Sequence, residues 1–391
     1  MGRVRFFTAG ESHGPALIGI LEGIPAGLQI DPAQIDRELR RRQHGHGRGG
    51  RMQIERDTVR FIGGLRWGRT LGGPIAVMIE NRDWVNWQEV MDPLHPSEHV
   101  SPATVPRPGH ADLVGILKYG HTDLRDVIER SSARETAMRV ALGAIAKQLL
   151  ATCGITIASH VIQIHNVRAR VDPVQNGWDA STINARADAS PVRCLDPDAE
   201  KTMVDRIDAG RSRGDTVGGV FEVIAFGVPV GLGSYVHWDR RLDARIAMAM
   251  MSIQAMKGVE IGGGFDTARR WGSEVQDEIF HTPARGYYRS SNRAGGIEGG
   301  VSNGAPIVVR VAMKPLSTLM QPLRSVNIRT KTPAKAHRER SDVCAVPAAS
   351  IVGEAMLALT LTDALLEKFG GDSVDELVSR VEQWRERVRC G

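Results

Sequence analysis

Two short stretches of the chain place a histidine among residues that can take part in catalysis. The first is GESHG at residues 10–14, which matches the G-x-S-x-G pattern of the serine nucleophile in α/β-hydrolases. In those enzymes an earlier strand supplies the oxyanion hole, whereas here only residues 4–8 could form a strand upstream, and Pro15 follows at once. Nucleophilic attack by Ser12 is therefore disfavoured, and His13 is the residue of this motif that needs an explanation.

The second stretch is RPGHADLVGILKYG at residues 107–120. Pro106 and Pro108 stiffen the chain around Arg107 and His110, which favours a pre-positioned anion contact beside an imidazole. An imidazole exchanges protons near neutral pH because its unperturbed pKa is about 6.5. A single histidine is more often structural than catalytic, so both interpretations of His110 stay open at this point.

Arginine is concentrated in a third stretch, RELRRRQHGHGRGGRM at residues 37–52. Its GHGRGG segment matches the G-x-G-x-x-G fingerprint of dinucleotide-binding folds, but it follows a predicted helix rather than a strand. Arg69 and Thr70 stand where that fingerprint needs an acidic residue. The glycines therefore predict a flexible loop that carries Arg48 and Arg51 to a carboxylate or phosphate, since a guanidinium pairs bidentately with both.

Two features of this stretch have simpler explanations. The arginine run at residues 40–42, taken alone, is more typical of a solvated helix face. His44 and His46 have no cysteine or carboxylate near them in the sequence, so they are a weak signal for a metal site, and no metal is predicted.

A fourth stretch, ERSSARETAMRVALGAIA at residues 129–146, places Arg130, Ser131, Ser132 and Arg134 just before a predicted helix. Free backbone N–H groups at a helix start favour an anion such as phosphate. The two serines could equally be helix caps.

Composition limits the classes of protein to consider. The 391 residues are 42% hydrophobic and 24% charged, which is typical of a globular protein that buries a core. The net charge of +5 suits nucleic acid or small polyanions, but only 5% of residues are aromatic and no nucleic-acid motif is present. A nucleic-acid partner is therefore disfavoured, but the composition leaves both classes of partner open.

The cysteines and the apolar segments bear on location. The four cysteines are widely spaced without a C-x-x-C, so neither a zinc site nor a disulfide framework is predicted, and a reducing cytoplasm fits best. No signal peptide is predicted. The most apolar stretch, ASIVGEAMLALTLTDALLEKF, contains Glu354 and Asp363, so it predicts a buried helix rather than a membrane span.

Helices and strands are both needed to position these stretches. Apolar periodicity predicts helices at residues 32–42, 134–150, 200–211, 243–256 and 348–369. Runs rich in β-branched residues predict strands at 58–62, 75–79, 155–164, 220–225 and 307–312. The two types do not alternate regularly, so a simple doubly wound sheet or barrel is not predicted. Residues 177–197 are the most polar and irregular, and predict a surface excursion.

Taken together, the motifs resemble those of the chorismate synthase family. GESHG, GRGGRM, RPGHAD, RSSARET, GGVFEV, QAMKGVEIG, NRAGGIEGGVSNGAPI, AMKPLST and RSDVCAVPA occur in the family's order, from Arg5 to Gly371. His46 stands where the family often has tyrosine, beside the site motifs. The resemblance implies an α/β (α+β) fold, with helices sandwiched between antiparallel sheets, in a single domain over residues 1–391 that assembles as a homotetramer.

The resemblance also implies an activity and a set of site residues. The family converts 5-enolpyruvylshikimate 3-phosphate to chorismate by an anti 1,4-elimination of phosphate, and it requires reduced FMN without net redox change. His13 would protonate the departing phosphate, His110 would protonate the reduced flavin, and Asp342 would assist loss of the substrate hydrogen. The implied substrate ligands are Arg42, Arg48, Arg51, Arg107 and Arg134. The implied FMN contacts are Arg130, Ser131, Ser132, Gln254, Ala255, Gly299, Lys314, Pro315, Leu316, Ser317, Thr318 and Arg340.

Two other classes of protein would behave differently in experiments. A basic nucleic-acid-binding protein would bind duplex in a salt-dependent manner without flavin affinity. A flavin-dependent oxidoreductase would oxidise its substrate. Bifunctional members of the family carry an NADPH-dependent flavin reductase activity, typically in longer chains, and the only G-x-G-x-x-G here is out of context. We therefore expect a monofunctional enzyme that depends on an external flavin reductase.

Overall fold

The computed structural model describes residues 2–50, 54–339 and 341–390. The strands are β1 (Arg5–Ala9), β2 (Ala16–Glu22), β3 (Arg60–Gly63), β4 (Leu65–Arg66), β5 (Arg69–Thr70), β6 (Ile75–Glu80), β7 (Thr156–Ile164), β8 (Val167–Arg168), β9 (Gly219–Phe226), β10 (Met256–Ile261), β11 (Ile279–Thr282), β12 (Gly286–Arg289), β13 (Ile297–Glu298), β14 (Val301–Ser302), β15 (Ile307–Met313), β16 (Arg324–Val326) and β17 (Pro333–Lys335). The α-helices are α1 (Pro32–Gln43), α2 (Asp112–Tyr119), α3 (Arg125–Ser131), α4 (Thr136–Thr152), α5 (Ala180–Ala189), α6 (Pro197–Arg213), α7 (Leu242–Met251), α8 (Gly272–Val275), α9 (Val346–Phe369) and α10 (Val374–Cys390).

Two antiparallel sheets form the outer layers of the fold. The first has the strand order β1-β2-β6-β3, and the second has the order β10-β15-β9-β7-β8. Along β2 and β6, buried and more exposed residues alternate, as expected for a strand with one face on the core. The predicted combination of helices with antiparallel sheets is therefore confirmed.

Helices α4 and α9 fill the space between the two sheets, and small residues set the distances between these layers. A Cβ added at Gly19 of β2 would lie 2.5 Å from Met138 Sδ on α4, and one at Gly143 of α4 would overlap the Cβ of Ala355 on α9. On the far side, a Cβ at Gly353 of α9 would lie 2.7 Å from a ring carbon of Phe221 on β9. Close packing of this kind leaves no room for a larger side chain.

Helix α9 is the apolar stretch predicted as a buried helix. It is long and apolar enough to cross a membrane by length and composition, but 89% of that window is buried inside the fold. The buried-helix prediction is thus confirmed.

Most predicted elements are present, with two corrections. The helix predicted to reach residue 256 ends at Met251, because Ala255 adopts a left-handed conformation with φ of 70° and Met256 starts β10. The excursion predicted at 177–197 contains α5, which Asp179 caps through Thr182 N at 2.7 Å. Ile183 and its neighbours on one face of α5 are buried against the second sheet, at a spacing that the polar composition of the segment conceals.

The prediction of a solvated arginine run is wrong for two of its three members. Arg41 is mostly buried, and its guanidinium donates to Glu38 and Glu354 at 2.8–3.0 Å, while Arg42 reaches the cavity described below. These two positions face the core because Ile35 and Leu39 of the same helix are fully buried.

Glu354 of α9 ties the helix layer together. Its side chain is fully buried and accepts from Arg41, from Lys147 on α4 and from the Ser159 hydroxyl on β7, with Arg193 at 3.6 Å. Burial alone would raise the pKa of Glu354, but Arg41 and Lys147 outweigh it, and the pKa is lowered. The carboxylate therefore balances cations from two other helices, α1 and α4, and from the segment between α5 and α6.

We expect Glu354→Ala to lower the free energy of unfolding by about 3 kcal/mol at pH 7, because it leaves Arg41, Lys147 and Arg193 with only the more exposed Glu38 and Asp188 as counter-charges. Glu376→Ala, which removes an exposed partner of Arg380, should cost less than about 1 kcal/mol. Folding lowers the pKa of Glu354. The ionised side chain therefore contributes fully to the free energy of unfolding above about pH 4.3, and this contribution is lost progressively as the pH falls below that value. Urea unfolding at pH 7 and pH 3.5 measures both effects, and an equal cost of the two variants at pH 7 would contradict this account.

Candidate active site

A cavity of about 530 Å³ collects side chains from segments far apart in the sequence. They come from the GESHG loop, the end of α1 and its glycine loop, the RPGHAD loop, the α3–α4 junction, residues 253–255, residues 313–318 and the start of α9. Its volume is typical of sites for small molecules and cofactors. Its lining also includes the apolar side chains of Ile128, Ile253, Leu316 and Val352.

Two buried arginines lie on the cavity wall with two buried carboxylates near them: Asp57 is 3.8 Å from Arg42 Nη1, and Glu55 is 3.6 Å from Arg134 Nη2. Arg134 Nη1 donates to Asp57 at 2.7 Å, and Arg42 donates to the Thr136 hydroxyl and the Ala133 carbonyl at 2.9 and 2.8 Å. Arg42 Nη1 and Arg134 Nη2 are buried and make no hydrogen bond within the described chain. Buried donors of this kind are rarely left unsatisfied, so the pair indicates that an anion belongs beside them.

The electrostatic cost of this cluster is visible at Arg42. The pKa of Arg42 is lowered to about 9, mainly by burial and further by the nearby Arg48 and Arg134, against the opposing effect of Asp57. The guanidinium remains protonated at neutral pH, and an anionic ligand would relieve the repulsion.

The glycine loop after α1 brings Arg48 to Asp342. Arg48 Nη1 donates to Asp342 Oδ2 at 2.5 Å, and the backbone N–H of Gly49 donates to Asp342 Oδ1 at 2.7 Å. A side chain at Gly47 would collide with Ile207 at 2.7 Å, and the φ of Gly47 is 87°. The loop can therefore follow this path only with glycine there.

His13 is held by a buried glutamate that the sequence analysis missed. Its Nδ1 lies 3.0 Å from both carboxylate oxygens of Glu129 on α3, and its backbone N–H donates to Glu129 Oε2 at 2.7 Å. Burial alone would raise the pKa of Glu129, but the hydrogen bonds from His13 and Arg125 outweigh it, and the pKa is lowered. The only sequence signal for this residue is its position directly before RSSARET.

His110 has a similar arrangement within its own motif. Its Nδ1 donates to Asp112 Oδ1 at 2.5 Å, and Arg107 donates to the same fully buried carboxylate through its backbone N–H, Nε and Nη2. Burial would raise the pKa of Asp112, but His110 and Arg107 outweigh it and lower the pKa. The remaining Arg107 nitrogen, Nη1, donates to the Thr318 hydroxyl at 2.8 Å.

The predicted FMN contacts divide into three groups. Those that line the cavity together with the predicted catalytic and substrate residues are Ser131, Ser132, Gln254, Ala255, Lys314, Leu316, Ser317 and Thr318. Arg130, Gly299 and Pro315 do not line it; Arg130 instead donates to the Thr8 carbonyl at 2.7 Å, and Gly299 lies between β13 and β14. The predicted FMN contact Arg340 lies outside the described residues, as does the predicted substrate ligand Arg51.

Two local features mark Gln254 and Ala255, in the group that lines the cavity, as part of a binding surface. Gln254 Oε1 is buried without a hydrogen bond, while its Nε2 donates to Glu135 at 3.1 Å. The adjacent Ala255 has a positive φ, a conformation that is costly for alanine and is concentrated at functional sites. Ser132 accepts from Arg134 N at 3.3 Å and so also caps the turn before α4.

Other candidate sites hold none of the predicted residues. A larger cleft of about 1440 Å³ lies over the second sheet and is lined by arginines such as Arg269 and Arg293. His46 Nε2 lies 2.7 Å from Asp208. Across the described parts of the chain, no group of three His, Cys, Asp or Glu side chains could hold a metal ion.

A cavity with converging guanidinium groups and two carboxylate-backed histidines, on a sheet–helix–sheet fold, defines an enzyme that acts on a polyanionic small molecule. Comparison with known proteins gives the family. The family model described as chorismate synthase matches residues 4–366, so the chain belongs to the chorismate synthase family, whose enzymes act in the shikimate pathway.

Individual relatives agree over the whole length. The chain is 58% identical to the chorismate synthase of Desulforudis audaxviator, with 99% of this chain and 98% of that one covered. It is 54% identical to that of Aquifex aeolicus, with 99% and 98% covered. A crystal structure of chorismate synthase superimposes with a TM-score of 0.80 at 44% identity, covering 99% of both chains, which confirms the predicted fold class.

The arginine cluster predicts that inorganic phosphate stabilises the protein more than chloride at equal ionic strength. At ten times its dissociation constant, phosphate should add about 1.4 kcal/mol to the free energy of unfolding. Arg42→Gln should weaken phosphate about 10-fold, since hydrogen bonds to charged groups contribute about 1.5–3 kcal/mol. Arg37→Gln, on the exposed face of the same helix, serves as the control, and urea unfolding across a phosphate series is the measurement. Equal phosphate stabilisation of the parent and Arg42→Gln would rule the cluster out as an anion site.

Proposed function

We propose that the protein converts 5-enolpyruvylshikimate 3-phosphate to chorismate and phosphate by an anti 1,4-elimination that requires reduced FMN. The observation that carries this proposal is the pair of buried guanidinium nitrogens on Arg42 and Arg134, which make no hydrogen bond to any described residue and share a cavity with two carboxylate-backed histidines. In the reaction one C–H bond and the C–O bond to phosphate break, a double bond forms, and no net electrons are transferred.

The charge of the substrate matches the cavity. The substrate has two carboxylates and a phosphate whose second pKa is about 6, so it is multiply anionic at neutral pH. Arg42, Arg48 and Arg134 supply cations on the wall, with Arg107 beside them. Carboxylates such as Asp57 hold these side chains in place before the ligand arrives, so little reorganisation is needed on binding.

Proton transfer to the leaving group is assigned to His13. Glu129 occupies the Nδ1 side of the ring, so Nε2 is the atom that gives a proton to the departing phosphate oxygen. Proton transfer matters here because a phosphate that leaves as a fully charged anion is a poor leaving group.

Asp342 is assigned to loss of the substrate hydrogen. The donors Arg48 and Gly49 reach one carboxylate oxygen each, and they fix the orientation of the group at the cavity wall. His110 is assigned to proton supply for the cofactor, and Nε2 is again the available atom because Asp112 occupies Nδ1.

The cavity residues fit FMN on chemical grounds. Gln254 Oε1 is a buried acceptor that needs an N–H donor, and the apolar side chains of Ile253 and Leu316 suit a flat ring. Lys314 and Ser317 supply polar groups to the same lining, and Lys314 Nζ donates to Ser317 Oγ at 2.9 Å. When bound, reduced FMN supplies the electron-rich ring that the reaction requires without net redox change.

We propose in addition that the enzyme is a homotetramer in the cytoplasm and takes reduced FMN from an external reductase. Support for the reductase comes from the only G-x-G-x-x-G, which follows α1, and from its arginine Arg48, which is engaged with Asp342. The glycine loop therefore serves the cavity and leaves no dinucleotide fingerprint in its usual context.

Purified protein, reduced FMN and substrate, mixed anaerobically, should yield chorismate and phosphate in equal amounts, and oxidised FMN with NADPH should not replace reduced FMN. His13→Ala and His110→Ala should each lower turnover by about 10²–10⁴-fold, the usual contribution of a general acid or base. His95→Ala, at an exposed position, is the control. Oxidised product without phosphate release would indicate a flavin-dependent oxidoreductase, and turnover within threefold of the parent in a folded variant would remove that histidine from the mechanism.

A further inference from the structure

Each carboxylate oxygen of Glu129 accepts a hydrogen bond from a donor other than the His13 ring. Arg125 Nη1 donates to Oε1 at 3.0 Å, and the backbone N–H of His13 donates to Oε2 at 2.7 Å. The side chain is only 1% exposed. A buried carboxylate with two such donors stays ionised, because the hydrogen bonds favour the charged form.

An ionised carboxylate has no proton to donate, so its contact with the His13 ring has one direction. Nδ1 must carry the hydrogen that Glu129 accepts, over 3.0 Å to either oxygen. The neutral ring is thereby held in the Nδ1–H form, and any further proton resides on Nε2.

The ring plane is fixed by a second contact. Trp87 stacks on His13 with centroids 3.9 Å apart and an angle of 25° between the planes. The Arg125 guanidinium lies 5.1 Å from the Trp87 ring centroid, and its Nη2 pairs with Glu339 at 2.9 Å. Arg125 thus contacts both residues that position the His13 ring, Glu129 at Nδ1 and Trp87 on the ring face.

The other histidine of the cavity provides an internal comparison. Asp112 accepts from His110 Nδ1 and from Arg107, as Glu129 accepts from His13 and Arg125. In both cases the carboxylate also accepts a backbone N–H from the loop that carries the histidine, and its side chain is buried. The same arrangement of histidine, buried carboxylate and arginine therefore occurs twice, with the carboxylate on α2 in one case and on α3 in the other.

We propose that Glu129 is a positioning residue for His13, keeping the hydrogen on Nδ1 and stabilising the doubly protonated ring whose Nε2 proton goes to the leaving phosphate. Trp87 holds the plane of that ring. This inference rests on the proposed function for the proton transfer, but the ring state itself is a property of the ligand-free protein.

Charged groups around His13 set the direction of the expected pH effect. Glu129 is the anion in direct contact, and Arg125 lies on its far side, where Glu339 offsets its charge. The other charged or titratable groups that line the same cavity are Arg42, Arg48, Arg107, Arg134, Lys314, Glu339 and Asp342, together with His110. The five cations of this set disfavour a protonated ring, and removal of the Glu129 charge takes away the one carboxylate in direct contact with His13 among the described residues.

The decisive variant is Glu129→Gln, compared with Asp126→Asn on the exposed face of the same helix. Turnover requires protonated His13, so it declines as pH rises. In Glu129→Gln the alkaline limb of turnover should move to lower pH, because the adjacent opposite charge is removed. Turnover at neutral pH should fall about 10²-fold with little change in KM. Asp126→Asn should match the parent.

Nitrogen NMR of ¹⁵N-histidine-labelled, ligand-free protein gives a second readout that is independent of activity. The parent should show neutral His13 with its hydrogen on Nδ1, and Glu129→Gln should reduce that population while His110 is unchanged. Asp112→Asn should do the reverse. If Glu129→Gln fails to fold, Glu129→Asp keeps the charge and should retain the parent's alkaline limb with reduced turnover.

The outcomes separate the two claims. A parent protein that forms no chorismate contradicts the proposed function, whatever the NMR result. Chorismate formation with an unmoved alkaline limb and unchanged His13 ring signals in Glu129→Gln overturns the positioning role, even if turnover falls.

Discussion

Positive charge that is buried before any ligand arrives is the constraint on which the rest of this structure depends. Arg42 and Arg134 are almost completely buried, and like charges in a medium of low polarity repel strongly unless they are balanced. Asp57 and Glu55 balance much of this charge, but Arg42 Nη1 and Arg134 Nη2 make no hydrogen bond to any described residue. These two nitrogens can therefore donate hydrogen bonds to an anionic substrate.

The same rule extends to the catalytic side chains. His13, His110 and Asp342 each make a contact with a group of opposite or complementary charge, through Glu129, Asp112 and Arg48 respectively. These partners come from different elements, and the sheet–helix–sheet packing holds the elements at fixed distances. Such preorganisation lets charge develop during reaction without costly rearrangement of the site. The buried ion cluster at Glu354 applies the same principle away from the cavity, where it joins the helices to the second sheet.

Sequence patterns were sufficient for some parts of this arrangement. The apolar periodicity of α1, α4 and α9 and the β-branched runs of the main strands act over short distances, so most of these elements could be located, although their layering was implied only by the family resemblance. The motifs around His13, His110, Arg42 and Arg48 could be selected because histidine and arginine among glycine and proline are unusual outside a site. Arg41 shows the limit, since whether an arginine on a helix faces water or a buried glutamate depends on a residue more than 300 positions away. Glu129 and Trp87 were missed for the same reason, because their contacts with His13 depend on tertiary packing rather than spacing.

The central claim is that this buried charge recognises the phosphate of the substrate. Calorimetric titration of the FMN-loaded protein with 5-enolpyruvylshikimate 3-phosphate, and with the same compound lacking the 3-phosphate, tests it most directly. Loss of at least two charge-assisted contacts should weaken binding by about 10²-fold or more. Equal affinity for the two compounds would show that the cavity does not recognise phosphate and would contradict the account.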